Sequence, residues 1–258
     1  MDSNDRWNET ANPQIGAGGL SGAISRFEEL VCGESCKTQD AVNLACAYQR
    51  VGKYGEAIDL FEQIVTVETL IPADLAALYE RLGYCLLATR DLEKAEQALE
   101  KAIAFNENSF RANIGLGLCG VQSNKTADAR VFFEKAIEIN PDCADAYSNL
   151  AILAWTEASI DEALGHFKRA LEIEPAHRDA LPNYLLILFA VESYDSAEAL
   201  LQCYAEAAPD NPDVAYQLAF CRLKLGRKDE AQALLQRILD ADPLQEDALA
   251  LLAECETA

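Results

Sequence analysis

The sequence predicts an all-α protein built as a solenoid of consecutive helix pairs, and three observations carry that expectation. Alanine recurs at Ala57, Ala95, Ala129, Ala163, Ala197 and Ala231, at intervals of 38, 34, 34, 34 and 34 residues, and Ala23 lies another 34 before Ala57. Self-similarity at such a fixed period marks an array whose units bury their apolar faces against their neighbours. Twelve residues before each of the six later alanines stands Ala45, Gly83, Gly117, Ala151, Leu185 or Ala219, small in five cases of six, preceded by Leu44, Leu82, Leu116, Leu150, Tyr184 or Leu218. A large residue beside a small one marks a close helix crossing. Four residues after the alanines come Phe27, Phe61, Leu99, Phe133, Phe167, Leu201 and Leu235, one turn further on the same helical face. No segment sustains the period-two alternation of a half-buried strand.

The elements follow in chain order. Residues 1–20 carry Pro13, Gly16, Gly18 and Gly19 and are expected to form a flexible tail. Ala23, Phe27 and Leu30 match only the second helix of a pair, so residues 22–36 read as an N-terminal half repeat. Six full repeats occupy about 38–245. Four extra residues separate the first repeat from the second, about one helical turn. Pro72 suits the first turn of a helix, where its missing N–H would be unpaired in any case, so the added turn belongs just after it. Pro141, Pro175, Pro209 and Pro243 punctuate the ends of four repeats. Leu249, Leu252 and Ala253 repeat the first-helix columns, and residues 246–256 read as a terminal capping helix kept soluble by Glu246, Asp247, Glu254 and Glu256. The whole of 21–258 is thus expected to be a single solenoid.

These columns together resemble the tetratricopeptide repeat over about residues 38–245. The resemblance implies a right-handed superhelix of antiparallel helix pairs whose first helices line a concave groove that binds peptides, helices or domains. Three places depart from the pattern. Leu185 replaces the small residue in the fifth repeat, Arg222 stands where an apolar residue is usual in the sixth, and Ile64, Tyr204 and Ile238 replace a later alanine.

Half of the 258 residues are hydrophobic and 25% are charged, a composition that supports a large folded core. Lys plus Arg number 21 against 43 Asp plus Glu, a net charge of −22 that disfavours nucleic acid and anionic lipid and favours basic partners. No stretch approaches the roughly 20 apolar residues of a membrane span, and Met1-Asp2-Ser3-Asn4-Asp5 lacks the basic start of a secretory signal, so a cytoplasmic protein is expected, with no membrane insertion. Nine cysteines fit a reducing compartment. Cys85, Cys119, Cys221 and Cys255 share one repeat column, where Ala47 stands in the first repeat, and read as small hydrophobes. Cys32 and Cys36 are four apart with no companion pair of metal-ligand spacing. His166 and His177 are the only histidines, too few to assemble a metal site or a nucleophile with its base. No catalysis, metal or cofactor is expected.

A second apolar stripe lies on the first helices, apart from the leucine-and-small seam. It runs through Tyr84 and Leu87, Leu118 and Val121, Ile152 and Trp155, Leu186 and Phe189, Phe220 and Leu223. By the resemblance these columns face the concave groove, which would make them a binding surface. The alternative is burial between neighbouring first helices. Trp155, mid-array, is the expected anchor. Asp145, Asp179 and Asp213 share one column at the start of the same helices, suited to the helix dipole and equally to an acidic groove edge that takes a basic ligand. Asn149 and Asn183 stand in the groove columns, available to a ligand's main chain or used in packing. The family's two-carboxylate clamp needs basic groove residues, and only Arg111 and Lys224 answer to that. The partner expected is therefore a protein segment, an amphipathic helix or extended peptide with apolar anchors and basic flanks. The readings are a non-catalytic scaffold or adaptor, a dedicated chaperone, or a targeting subunit of an enzyme complex.

Overall fold

A computed structural model describes residues 38–67, 70–207 and 211–257, with positions 22, 24, 25, 28 and 31 of a preceding helical segment. The expectations for residues 1–20, Ala23, Phe27, Leu30, Cys32, Cys36 and Pro209 lie outside the described residues. Thirteen α-helices and no strand are formed among the described residues: α1 Thr38–Arg50, α2 Tyr54–Ile64, α3 Pro72–Ala88, α4 Leu92–Phe105, α5 Phe110–Gln122, α6 Thr126–Ile139, α7 Ala144–Thr156, α8 Ile160–Ile173, α9 Ala180–Ala190, α10 Tyr194–Ala207, α11 Pro212–Lys224, α12 Lys228–Ala241 and α13 Glu246–Thr257. The chain is an all-α solenoid of six helix pairs followed by an unpaired helix. It divides into two compact units, residues 1–153 and 154–258, and the division falls inside α7, where no sequence signal marks a boundary.

Helix starts and turns follow local chemistry. Pro72 opens α3, whose 17 residues against the 13 of α5 contain the added turn. Ser109 caps α5 by accepting from Ala112 N–H at 3.0 Å, and Asn211 caps α11 by accepting from Asp213 N–H at 3.0 Å. His177 Nδ1 accepts the Ala180 N–H at 3.1 Å and so serves the start of α9, a role the sequence did not reveal. Within every pair the turn places one residue in the left-handed region: Gly52, Arg90, Asn124, Ala158, Glu192 and Gly226, all in one repeat column. Only two of the six are glycine, the residue that adopts this conformation without strain.

In the unit ending at Leu153, Phe61, Leu99 and Phe133 are fully buried. The glycines explain how closely the helices meet. A Cβ on Gly83 would lie 2.5 Å from Leu99 Cγ, and one on Gly115 would lie 2.8 Å from Leu99 Cδ1, so Leu99 is wedged between its own first helix and the next. Gly117 receives Phe133 in the same manner, and Gly120 takes the backbone and Cβ of Ala129. Ahead of α1, Ile24 and Val31 pack on Leu44, Ala47, Tyr48 and Leu60, and the Tyr48 hydroxyl donates to Glu28.

In the unit from Ala154, Phe167, Leu201 and Leu235 hold the matching core positions. Arg222 receives its explanation here. Buried Glu198 of α10 accepts from Arg222 Nε at 3.1 Å and pairs with Arg227 Nη1 at 2.9 Å, while Arg222 also lies 3.5 Å from Glu230. The apolar position of other repeats is occupied by an ion network that satisfies an otherwise costly buried carboxylate.

Candidate partner-binding surface

In the first unit, Tyr84, Leu118, Val121 and Ile152 lie on first helices and keep solvent access; Val121 is 38% exposed. The Tyr84 hydroxyl donates to the Arg111 carbonyl at 2.8 Å, tying α3 to α5. Burial foremost, then the carboxylates of Glu80 and Asp145, pushes the Tyr84 phenol well above its usual range, so it acts as a hydrogen-bond donor at every ordinary pH. Beside it opens a cavity of about 320 Å³ whose walls include Glu80, Arg81, Tyr84, Arg111 and Asp145. Charges of both signs meet there, a grouping missed in the sequence because its members come from three successive repeats and because Arg111 stands in the column that Asp145 occupies one repeat later.

In the second unit, Leu186 is 60% exposed, the most open large residue of the stripe. Near it in sequence, Phe189 of α9 and Phe220 of α11 meet edge to face with centroids 5.8 Å apart, and Tyr194 of α10 joins them at 6.5 and 6.1 Å. Tyr194 escaped the sequence reading because it opens a second helix and so lies off the first-helix stripe. Lys224 Nζ stands 5.2 Å from the Phe220 ring centroid and 3.1 Å from Glu254 Oε1. Trp155, at the end of α7, is half-buried.

Two expected lining residues lie in the core. Leu87 is 5% exposed and belongs to the cluster containing Leu116 and Cys119 of α5. Leu223 is 7% exposed and belongs to the cluster containing Leu251 and Cys255 of α13. Both side chains are buried, so these two stripe positions belong to the core of their unit.

Asp145, Asp179 and Asp213 are exposed at the starts of α7, α9 and α11. The backbone carbonyls of Asp145 and Asp179 each accept a bond of 2.8 Å from the Nδ2 of Asn149 and Asn183, so both amides turn back along their own helices and the Nδ2 donor is engaged within the chain. Among the described cysteines Cys85, Cys119, Cys221 and Cys255, which share one packing column, are buried, as are Cys46 and Cys143 outside it, and Cys203 is exposed; none of these seven is in a disulfide. No group of three or more His, Cys, Asp or Glu is placed to hold a metal ion among the described residues, and none of the described helices is long and apolar enough to cross a membrane.

Three family models described as tetratricopeptide repeat match residues 38–108, 188–255 and, in three overlapping stretches, 82–212. The chain belongs to the tetratricopeptide repeat family. Among solved structures this repeat protein resembles MamA at 26% identity over 64% of this chain and 95% of that one, with a TM-score of 0.54. It also resembles a tetratricopeptide repeat protein from Parabacteroides merdae, at 17% identity over 99% and 100% of the two chains and a TM-score of 0.58. A third is YrrB, described as a tetratricopeptide repeat protein with an unusual peptide-binding site, at 22% identity over 68% and 90% and a TM-score of 0.51. The last two likenesses speak to fold alone. No curated protein sequence matched. Proteins of this family are interaction modules, and protein-protein interaction is the function the repeats support.

Proposed function

We propose that this chain is a non-catalytic scaffold or adaptor, working in a reducing compartment such as the cytoplasm, that captures a peptide or helical segment of a partner protein on the first helices of its repeats. The observation that carries this reading is the uncovered apolar surface those helices retain after the cores are complete, with Leu186 at 60% exposure beside the Phe189, Tyr194 and Phe220 rings. A large apolar side chain held open beside an aromatic cluster is the arrangement from which interface anchors are made. Exposed Asp145, Asp179 and Asp213 and the net charge of −22 suit a segment with basic flanks. In the second unit half-buried Trp155 and the Oδ1 of Asn183 are assigned to this role; in the first unit Tyr84, Leu118, Val121 and Ile152, with the Oδ1 of Asn149, are assigned a capture stripe of their own. The test compares the proteins that co-purify with the native chain and with Leu186→Glu. The reading expects the specific set to be lost with melting temperature unchanged; an identical set from both would overturn it.

A further inference from the structure

In the second helix pair, Tyr79 of α3 and Phe105 of α4 stack with ring centroids 5.9 Å apart and planes 7° from parallel, and Lys101 Nζ lies 5.2 Å from the Tyr79 centroid. The space between the two helices is thus filled by a ring pair with a cation over one face. The same two columns carry Asn113 and Ile139 in the third pair, Tyr147 and Ile173 in the fourth, Leu181 and Ala207 in the fifth, and Ala215 and Ala241 in the sixth. Among these five pairs the sixth alone has alanine at both positions.

At that place in the sixth pair, inside the second unit, lies a cavity of about 480 Å³. Its walls include Ala215 of α11 and Ile238 and Ala241 of α12, together with Asn211, Arg237 and Gln245. Volume and lining are those of a small-molecule site, small apolar surface with a few polar groups. Arg237 stands in the column of Lys101 and makes no ion pair or hydrogen bond among the described residues. Gln245 stands in the column where Ser109 and Asn211 each spend a side-chain oxygen on a helix N–H, yet its own Oε1 is buried with no hydrogen-bond partner. Such an acceptor carries a desolvation cost that a donor on a ligand would offset. Asp242 on the same wall and the net charge of −22 turn away an anionic ligand.

We propose that this cavity binds a small neutral aromatic molecule of the phenol or indole class. Its ring takes the place between Ala215 and Ala241 that Tyr79 and Phe105 fill with rings of the chain itself. The Arg237 guanidinium lies over the ring face as Lys101 lies over Tyr79, and the ligand's O–H or N–H donates to the Gln245 amide oxygen. The site shares no residue with the surface assigned to partner capture, so either assignment can fail without the other.

The test titrates indole and 4-methylphenol into the full chain, followed by calorimetry and ligand-observed magnetic resonance. Native chain is expected to show one saturable site with Kd of roughly a millimolar or below, the range open to so small a ligand. Ala215→Tyr with Ala241→Phe supplies the rings of the second pair from the chain itself, and is expected to abolish binding while the melting temperature holds or rises. Ala241→Phe alone is the milder block and keeps the test open should the double variant unfold. Arg237→Ala leaves the cavity in place and is expected to weaken both probes several-fold. Benzoate, with the same ring and a negative charge, is expected to bind more weakly than either probe. No saturation up to about 5 mM, well past the affinity expected of such ligands, overturns the proposal. So does native-strength binding by a folded blocked variant or by Arg237→Ala, or a preference for benzoate. A site that takes a tryptophan-bearing peptide but not indole would be a protein-docking pocket and overturns it as well.

Discussion

Two leucines of one stripe and one unit, Leu186 and Leu223, separate binding from folding. Leu223 is 7% exposed in the cluster of Leu235, Leu251 and Cys255, so its truncation to alanine forfeits nearly the full transfer term and leaves a cavity, about 2–5 kcal/mol in all. Leu186 keeps 60% of its surface in water. With less than half of the ordinary 1.5–3 kcal/mol burial term at stake and no enclosed cavity, Leu186→Ala is expected to cost about 1 kcal/mol or less. Its effect on binding runs the other way. An anchor residue is worth about 2 kcal/mol or more, close to a thirtyfold rise in Kd. The assays are urea unfolding followed by circular dichroism and titration calorimetry with any captured partner. Leu223→Ala should shift the unfolding midpoint of the second unit strongly, and Leu186→Ala should leave the midpoint almost in place while weakening the complex. Equal destabilisation by both substitutions, or unchanged affinity after Leu186→Ala, would refute the assignment of the stripe.

The left-handed turn column gives a second prediction: Ala158→Gly relieves about 1–2 kcal/mol of strain at φ 60 against an entropic cost of about 0.5–1, so a net stabilisation near 0.5–1 kcal/mol is expected by thermal melting, while Gly52→Ala should destabilise. The thiols supply a pH dependence. Burial raises Cys85 to about 12 and Cys119 and Cys221 to about 11 from an ordinary 9.0. The folded state thus holds these protons more tightly than the unfolded chain, keeps its full stability below about pH 9, and loses it as pH climbs toward 11–12. Melting temperatures measured from pH 7 to 10.5 should fall less steeply when the three are replaced by alanine. Reducing agent should leave the melting temperature unchanged, because none of the described cysteines is in a disulfide.

Columns that recur in every repeat were legible in the amino-acid order alone: the seam of Leu82 and Gly83, the Ala95 and Leu99 face, and Pro72 at its helix start each follow from helical spacing or from a missing N–H. The groove was legible only as a stripe. Tyr84 and Leu87 stand three apart on one helix, yet Leu87 is buried in the core, and Val121 of the same column stays open. Burial at such a position is settled by tertiary packing, which spacing along one chain does not encode. Features built from two columns at once were silent. Glu198 with Arg222 and Arg227 announced itself only through the misplaced arginine, and His177 accepting from Ala180 N–H looked like any turn residue. The left-handed column was visible at Gly52 and Gly226 and hidden where Arg90, Asn124, Ala158 and Glu192 take the same φ at a cost.

Ionic strength should test the electrostatic part of the proposed capture. Association with a basic segment is drawn by the field of the acidic chain and weakens as salt screens it over about 8–10 Å. Asp145→Lys with Asp179→Lys changes two exposed positions and moves the net charge from −22 to −18. Neither side chain fills a core, so folding should change little. The association rate with a basic partner should fall several-fold at low salt and converge on the native rate as salt rises. Stopped-flow fluorescence at several salt concentrations reads the rate. A rate that drops equally at every ionic strength would show that the two aspartates act by local contact and not by steering, and an unchanged rate would place the basic segment away from the first-helix starts.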